Sequence, residues 1–361
     1  MKKLRFALIG CGRIAPKHAD SLSTGQIEGA ELAAVCDILP DRALAFGQKY
    51  NVPHFTSISE MMKKMGGEID VVSILTPSGL HAQHTIEVAK FGKHIVVEKP
   101  MALTLQDADQ MISACDAAGV RLFVVKQNRY NTPVKKLREA LEMGRFGKLV
   151  MGTVRVRWCR TQKYYDQDSW RGTWAYDGGV FANQASHHVD LLQWMMGDVE
   201  SVFAKTSTSL VNIETEDTGV VILRFKNGAL GVIEATTATR PKDLEGSISV
   251  LGEKGTVEIA GFAVNEMKTW NFTEAKPEDV DVLEKYRNNP PNVYGFGHTE
   301  YLNKVVESLR ESRNALVDGL EGRKSLELIS AIYESVETGK EVFLRFVPKK
   351  CRLGQLPQAT M

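Results

Sequence analysis

The chain has 361 residues, more than the roughly 250–300 at which a single hydrophobic core stops growing, so two domains are expected. Hydrophobic residues make up 43% and charged residues 25%, and a net charge of +1 supplies no global attraction for nucleic acid or an acidic membrane. No run approaches the roughly 18 consecutive apolar residues of a membrane span, and Met1-Lys2-Lys3-Leu4-Arg5 leads into a strand instead of a signal-peptide core, so a cytoplasmic location is expected.

In chain order, Leu4 to Ile9, Glu31 to Cys36, Val71 to Leu75, His94 to Val97 and Arg121 to Val125 read as strands. Ala82 to Phe91 and Leu105 to Ala118 carry apolar residues at helical spacing between them, the alternation of parallel βαβ units. Residues 1–126 are therefore expected to form a Rossmann domain. From about Lys126 the pattern changes to longer alternating strands, which predicts an α+β domain over 127–346 built on an open, mostly antiparallel sheet, followed by a tail over 347–361. Asn227-Gly228 between Val220 to Phe225 and Leu230 to Ala235 predicts a hairpin with a type I′ turn. Ser247 to Leu251 and Thr256 to Ile259 predict a second hairpin. Helices are expected over about Pro133 to Met143, Ala182 to Met196, Tyr301 to Glu311 and Gly322 to Thr338.

Gly10-Cys11-Gly12-Arg13-Ile14-Ala15 follows the first strand and opens a helix, the setting that a dinucleotide fingerprint requires. Gly10 permits the tight turn, and Gly12 lets a pyrophosphate reach backbone N–H groups at the positive helix end. The second strand ends on Asp37, where a carboxylate accepts hydrogen bonds from a free ribose and repels a 2′-phosphate, favouring NAD over NADP. A turn-capping role for Asp37 is the alternative.

Glu98-Lys99-Pro100 ends a strand at the carboxyl edge of the sheet, where open α/β proteins bind ligands. Further on, Gly178-Gly179 precedes Asn183, His187 and Asp190, whose spacing of four and three predicts one helical face. An imidazole there can take the proton of a sugar hydroxyl while hydride leaves the same carbon, with Asn183 holding a hydroxyl and Asp190 orienting His187. A polar helix face without chemistry is the alternative. Arg157, Arg160, Lys163 and Arg171 lie among Trp158, Tyr164, Tyr165 and Trp170, a composition suited to a diphosphate, a carboxylate and a uracil ring, with alternating charges on an exposed strand and loop as the alternative.

Gly10-x-Gly12-x-x-Ala15, Thr76-Pro77-x-x-x-His81, Glu98-Lys99-Pro100, Gly178-Gly179 with His187-x-x-Asp190, and the stretch from Asp318-Gly319 to Ser335 together resemble the glucose–fructose oxidoreductase/inositol dehydrogenase (Gfo/Idh/MocA) superfamily over about residues 4–346. The resemblance implies a Rossmann domain and an open-sheet domain assembled into dimers or tetramers through that sheet. It puts the catalytic lysine at Lys99 and the catalytic histidine at His187, while Asn183 stands where inositol dehydrogenases often have aspartate, which argues against simple polyols. Lys126-Gln127-Asn128-Arg129, Tyr164-Tyr165, Trp170-Arg171-Gly172, Asn183-Gln184-Ala185-Ser186-His187, Leu244-Glu245-Gly246-Ser247 and Tyr294-Gly295-Phe296-Gly297-His298 more narrowly resemble bacterial UDP-N-acetylglucosaminuronate 3-dehydrogenases, which prepare a diaminouronic acid of surface polysaccharide.

The expected cofactor is thus NAD, on Gly10, Gly12, Arg13, Ile14, Asp37, Thr76, Pro77, His81, Glu98, Lys99 and Gln127. The expected substrate is a UDP-linked acidic amino sugar, on Lys99, Arg160, Tyr165, Trp170, Arg171, Asn183, Gln184, His187 and His298. For His81 a structural hydrogen bond is the alternative. No metal is expected, since His18, His54, His84 and His94 show no grouping in sequence and hydride transfer from an alcohol needs none. The five cysteines, Cys11, Cys36, Cys115, Cys159 and Cys351, contain no Cys-x-x-Cys and read as reduced, mostly buried thiols. Two other readings stay open: a dehydrogenase of the same superfamily with a different sugar or inositol substrate, and an NAD-binding regulator without catalysis, against which the presence of both Lys99 and His187 argues.

Overall fold

The computed structural model describes residues 2–287, 290, 295–311 and 317–344; Tyr294, Cys351 and the tail over 347–361 lie outside the described residues. The first domain runs β1 (Leu4–Ile9), α1 (Ala15–Ser23), β2 (Ala30–Cys36), α2 (Pro40–Tyr50), β3 (His54–Phe55), α3 (Ile58–Met65), β4 (Val71–Ile74), α4 (His81–Ala89), β5 (His94–Val97), α5 (Leu105–Ala117) and β6 (Leu122–Val124). Its six strands pair in parallel in the order β3-β2-β1-β4-β5-β6, the doubly wound arrangement. Helices cover both faces, so β4 is buried at every position, and a continuous apolar run such as Ile95-Val96-Val97 of β5 is what that environment selects. Two-residue β3 is too short to show a period, which is why the sequence did not announce it.

The second domain continues with α6 (Thr132–Glu142), β7 (Leu149–Arg157), α7 (Gln162–Tyr165), α8 (Ser186–Met196), β8 (Val199–Ser207), β9 (Thr218–Phe225), β10 (Leu230–Thr236), β11 (Glu245–Gly252), β12 (Gly255–Ala260), β13 (Glu266–Phe272), α9 (Val282–Lys285), α10 (Gly297–Glu311), α11 (Gly319–Thr338) and β14 (Val342–Phe343). Eight strands order as β13-β12-β11-β7-β10-β9-β8-β14, and every neighbouring pair is antiparallel except β7 with β10. Alternation along β7 buries Val154 and Val156 against α8, which contributes Val189, Leu192 and Met195 to the same core. The opposite face carries Arg155 and Arg157 beside exposed Val220, Ile222 and Leu230. Arg157 there bonds Glu234 at 2.6 Å and Glu245 at 3.2 Å, so the pleat removes it from the basic–aromatic group in which its sequence position placed it.

Two local expectations change. The β9–β10 hairpin forms, but only Gly228 of the Asn227-Gly228 pair has positive φ, at 87°. Gly228 N–H donates to Phe225 O at 2.9 Å, and a loop longer than two residues removes the need for a type I′ turn. The helix expected from Ala182 begins at Ser186, and Val180–Gln184 forms a π turn ahead of it. The C-terminal helices also cross back to the first domain: Tyr301, Leu302, Val305 and Val306 of α10 join a core with Phe6, Leu8, Val96 and Phe123. The apolar face of α10 finds its partner on the Rossmann sheet, while α11 puts Leu326 into the first-domain core and Leu328, Ile329 and Ile332 into the second, which locks the two domains around the cleft between them. No described helix is long and apolar enough to cross a membrane.

Candidate active site

The β1–α1 turn requires glycine at Gly10, where φ is +99° and an added Cβ would sit 2.7 Å from Leu75 O. At Gly12 a Cβ would meet no protein atom within 4 Å, so the demand for glycine there comes from the ligand side of the loop and fits a pyrophosphate cradle. Asp37 Oδ2 accepts the Cys11 N–H at 2.8 Å and Oδ1 accepts the Leu39 N–H at 2.9 Å. The turn-capping role is thus present, and each oxygen keeps a lone pair for a ribose hydroxyl.

At the end of β5, Lys99 Nζ donates to Asn183 O at 2.8 Å and to Asn183 Oδ1 at 3.4 Å. The Asn183 amide donates in turn to Asp177 Oδ1, and Asp177 Oδ2 accepts the Gly172 N–H at 2.8 Å. Asp177 was missed at the sequence level; its place directly before Gly178-Gly179 is the signal that could have found it. The glycine turn itself is pinned from behind: Tyr333 Oη accepts the Gly179 N–H at 3.2 Å and donates to Glu216 Oε1 at 2.9 Å. A Cβ on Gly179 would collide with the Glu216 carboxyl at 2.0 Å. Asn183 therefore belongs to the π turn and not to the α8 face on which its spacing placed it.

His187 is 7% exposed, and neither ring nitrogen has a hydrogen-bond partner. Burial, reinforced by the charges of Lys99 and Lys126, holds the imidazole well below its usual range, so it is neutral and able to accept a proton. Asp190 does not orient it. That carboxylate takes a bidentate pair of bonds from Arg129, both at 2.8 Å, with Lys126 Nζ 3.5 Å away, because its own helical position turns it toward the Gln127–Tyr130 turn.

Tyr164 is the hub of the basic–aromatic cluster. Arg171, Arg13 and Arg160 lie 4.8, 5.3 and 5.4 Å from its ring centroid, and its hydroxyl accepts from Arg171 at 2.9 Å and from Gln184 at 3.0 Å. Arg13 comes from the Gly10–Ala15 loop, so cations of both domains converge. Gln184 also accepts from Arg160 Nε at 3.2 Å and donates to Asn183 Oδ1 at 3.3 Å, linking the cluster to Lys99. Trp170 stacks under Arg171 at 4.5 Å, whereas Tyr165 is buried behind the cluster with its hydroxyl 3.2 Å from Thr237 Oγ1. Trp158 is buried with its indole N–H on Phe262 O, and Lys163 is exposed.

The remaining expected residues divide. Thr76 Oγ1 lies 3.0 Å from His84 Nδ1, and Pro77 follows it at the sheet edge. His81 spans the carbonyl oxygens of Pro100 at 2.8 Å and Thr76 at 2.9 Å, which is the structural role set beside its cofactor role. Gln127 is buried with an unpartnered amide oxygen, and Ile14 precedes α1 as its N-cap. Glu98 is buried against His18, 3.0 Å away, and His298, 3.5 Å away. His298 is thereby directed at Glu98, and His18, isolated in sequence, acquires a grouping that spacing alone denied it: donor atoms of all three lie within 4.8 Å. Cys11, Cys36, Cys115 and Cys159 are free thiols, the first three buried.

Residues 4–126 match the NAD-binding Rossmann fold of the GFO_IDH_MocA oxidoreductase family, and residues 138–344 match that family's C-terminal alpha/beta domain. The chain belongs to this family. It is 31% identical to the myo-inositol 2-dehydrogenase of Thermotoga maritima over 95% of this chain and 99% of that one. It is 45% identical to the WlbA dehydrogenase of Bordetella pertussis, solved in complex with NADH and UDP-GlcNAcA, with a TM-score of 0.89 over 96% of this chain and 99% of that one. The WlbA dehydrogenase of Chromobacterium violaceum, solved with the same two ligands, is 44% identical with a TM-score of 0.90 over 96% of this chain and 98% of that one. The protein is an NAD-dependent oxidoreductase.

Asp37→Ser is expected to weaken NAD binding by on the order of 1.5–3 kcal/mol, the worth of a charge-assisted hydrogen bond, and to narrow the advantage over NADP. Calorimetric titration with each dinucleotide checks this, and an unchanged NAD affinity removes Asp37 from the ribose site.

Proposed function

We propose that the protein oxidises the C3 hydroxyl of UDP-N-acetylglucosaminuronic acid with NAD, giving the 3-keto nucleotide sugar and NADH. The observation that carries this reading is the continuous polar path from the three-guanidinium cluster on Tyr164, through Gln184 and Asn183, to the Lys99 ammonium. Guanidinium groups suit a diphosphate or carboxylate, and the path places them beside the groups that would handle the alcohol. The similarity to two dehydrogenases solved with NADH and UDP-GlcNAcA supports the same reading.

In this assignment Lys99 and Asn183 hold the hydroxyl, and neutral His187 takes its proton as the C3 hydride leaves. Bound NAD supplies the hydride acceptor. Gly10, Gly12, Asp37 and the α1 terminus hold the dinucleotide, and Arg13, Arg160, Trp170 and Arg171 hold the distal part of the substrate. Exposed Val220, Ile222 and Leu230 on the open sheet face support a homo-oligomer formed through that sheet.

Remote binding energy is used to orient the reacting carbon, so free N-acetylglucosaminuronic acid should show lower turnover as well as weaker binding than its UDP conjugate. The test is NADH formation with a panel of nucleotide sugars, with the product identified by mass spectrometry. Equal efficiency with the free sugar, or a product oxidised at another carbon, overturns the assignment.

A further inference from the structure

Glu98 is 5% exposed, and three separate elements meet on its carboxylate. His18 on α1 and His298 at the start of α10, 0% and 3% exposed, both address Oε1, at 3.0 and 3.5 Å. Their rings meet edge to face with centroids 5.7 Å apart. Oε2 accepts the backbone N–H of Lys99 at 3.1 Å. A carboxylate withdrawn this far from water is costly unless its charge is paired. Burial alone would raise Glu98, yet the bonds to His18 and His298 outweigh it and hold the carboxyl well below its usual range.

We propose that Glu98 is a positioning residue for Lys99: anchored from two helices by His18 and His298, it fixes the backbone from which Lys99 extends and holds a buried negative charge beside that residue. This rests on the reading in which Lys99 stabilises a developing alkoxide, because only a charged lysine can do so. Burial pushes Lys99 down, with Lys126 and Arg171 adding to the push; Glu98 opposes it most strongly and Asp177 next. His81, His187 and Tyr301 also sense the Glu98 charge, and Lys17 faces His298. The same three side chains lie close enough to share a dication, but both imidazoles converge on one carboxylate oxygen, at 3.0 and 3.5 Å, and the Lys17 charge acts on His298.

The test is Glu98→Gln, which keeps the shape and removes the charge. Trace labelling of Lys99 with acetic anhydride across pH, read by peptide mass spectrometry without any sugar present, reports its ionisation directly. Glu98 is the opposing charge that acts most strongly on Lys99, so without it the labelling midpoint should fall measurably, and the alkaline limb of turnover should move down with it. Glu98→Asp, which keeps the charge, should hold the midpoint near that of the unaltered protein. Should Glu98→Gln fail to fold, Glu98→Asn, equally neutral and shorter, is expected to shift the midpoint in the same direction. An unchanged midpoint in the variant that folds overturns the proposal, as does a stoichiometric divalent metal in the purified protein that Glu98→Gln loses. A shifted midpoint in a protein inactive on every nucleotide sugar would instead overturn the substrate reading and leave the Glu98–Lys99 coupling standing.

Discussion

His187→Asn is expected to lose about 10²–10⁴-fold in turnover while NAD still binds, the usual contribution of a positioned general base. That is about 3–5 kcal/mol of barrier. An alcohol is too weak an acid to lose its proton unaided near neutral pH, and His187 is the buried imidazole beside Lys99 whose nitrogens are uncommitted. Because burial and neighbouring cations keep it neutral, the base form is present throughout the neutral range, and the loss of turnover that His187 causes should fall on the acid side, as the imidazole charges. Lys99→Met should show a loss of similar size. His188→Asn should not, because His188 is buried under Trp158 with ring centroids 5.6 Å apart and burial lowers its pKa to about 3. Single-turnover kinetics with saturating dinucleotide separate chemistry from binding. A near-normal rate and pH profile in His187→Asn would take the base role from His187.

Asp190→Asn should destabilise the fold by about 3–5 kcal/mol, because it leaves Arg129 and Lys126 buried without their main counter-charge. Both sides of the Arg129–Asp190 pair are 3% exposed, and Glu321, 2.9 Å from Arg129, is the partner that remains. Burial alone would raise Asp190, but Arg129 and Lys126 outweigh it and bring the carboxyl from its ordinary 3.8 down to about 2. The sign follows: a depressed folded-state pKa gives stability that is fully present above about pH 4 and lost as pH falls through about 2. Urea unfolding between pH 7 and pH 2 should therefore show a large gap between the two proteins at neutral pH that closes in acid. A neutral-pH loss under about 1 kcal/mol, the level of an exposed pair, would mean that water reaches the pair.

Much of this architecture is written locally. The Rossmann strands were legible because continuous apolar runs, helical periods and a glycine fingerprint act within a few residues of one another, and so were Lys99 at a strand end and the second-domain hairpins. The π turn was not, since Val180–Gln184 has the composition of a helix start and its wider winding is held by long-range bonds from Tyr333, Glu216 and Lys99. Side-chain partnerships lay beyond reach for the same reason. Spacing of three assigned Asp190 to His187, but an acidic side chain pairs with the cation that reaches it best, and Arg129 arrives from a turn 61 residues away. The joining of Arg13 to Tyr164 and of His18 and His298 to Glu98 likewise depends on α10 packing back onto the first domain and on the cleft this creates. The sequence by itself determined which residue types carry the chemistry and which elements present them; the docking of the two domains decided which charges meet, because long-range pairing depends on distance and burial in three dimensions and leaves no period along the chain.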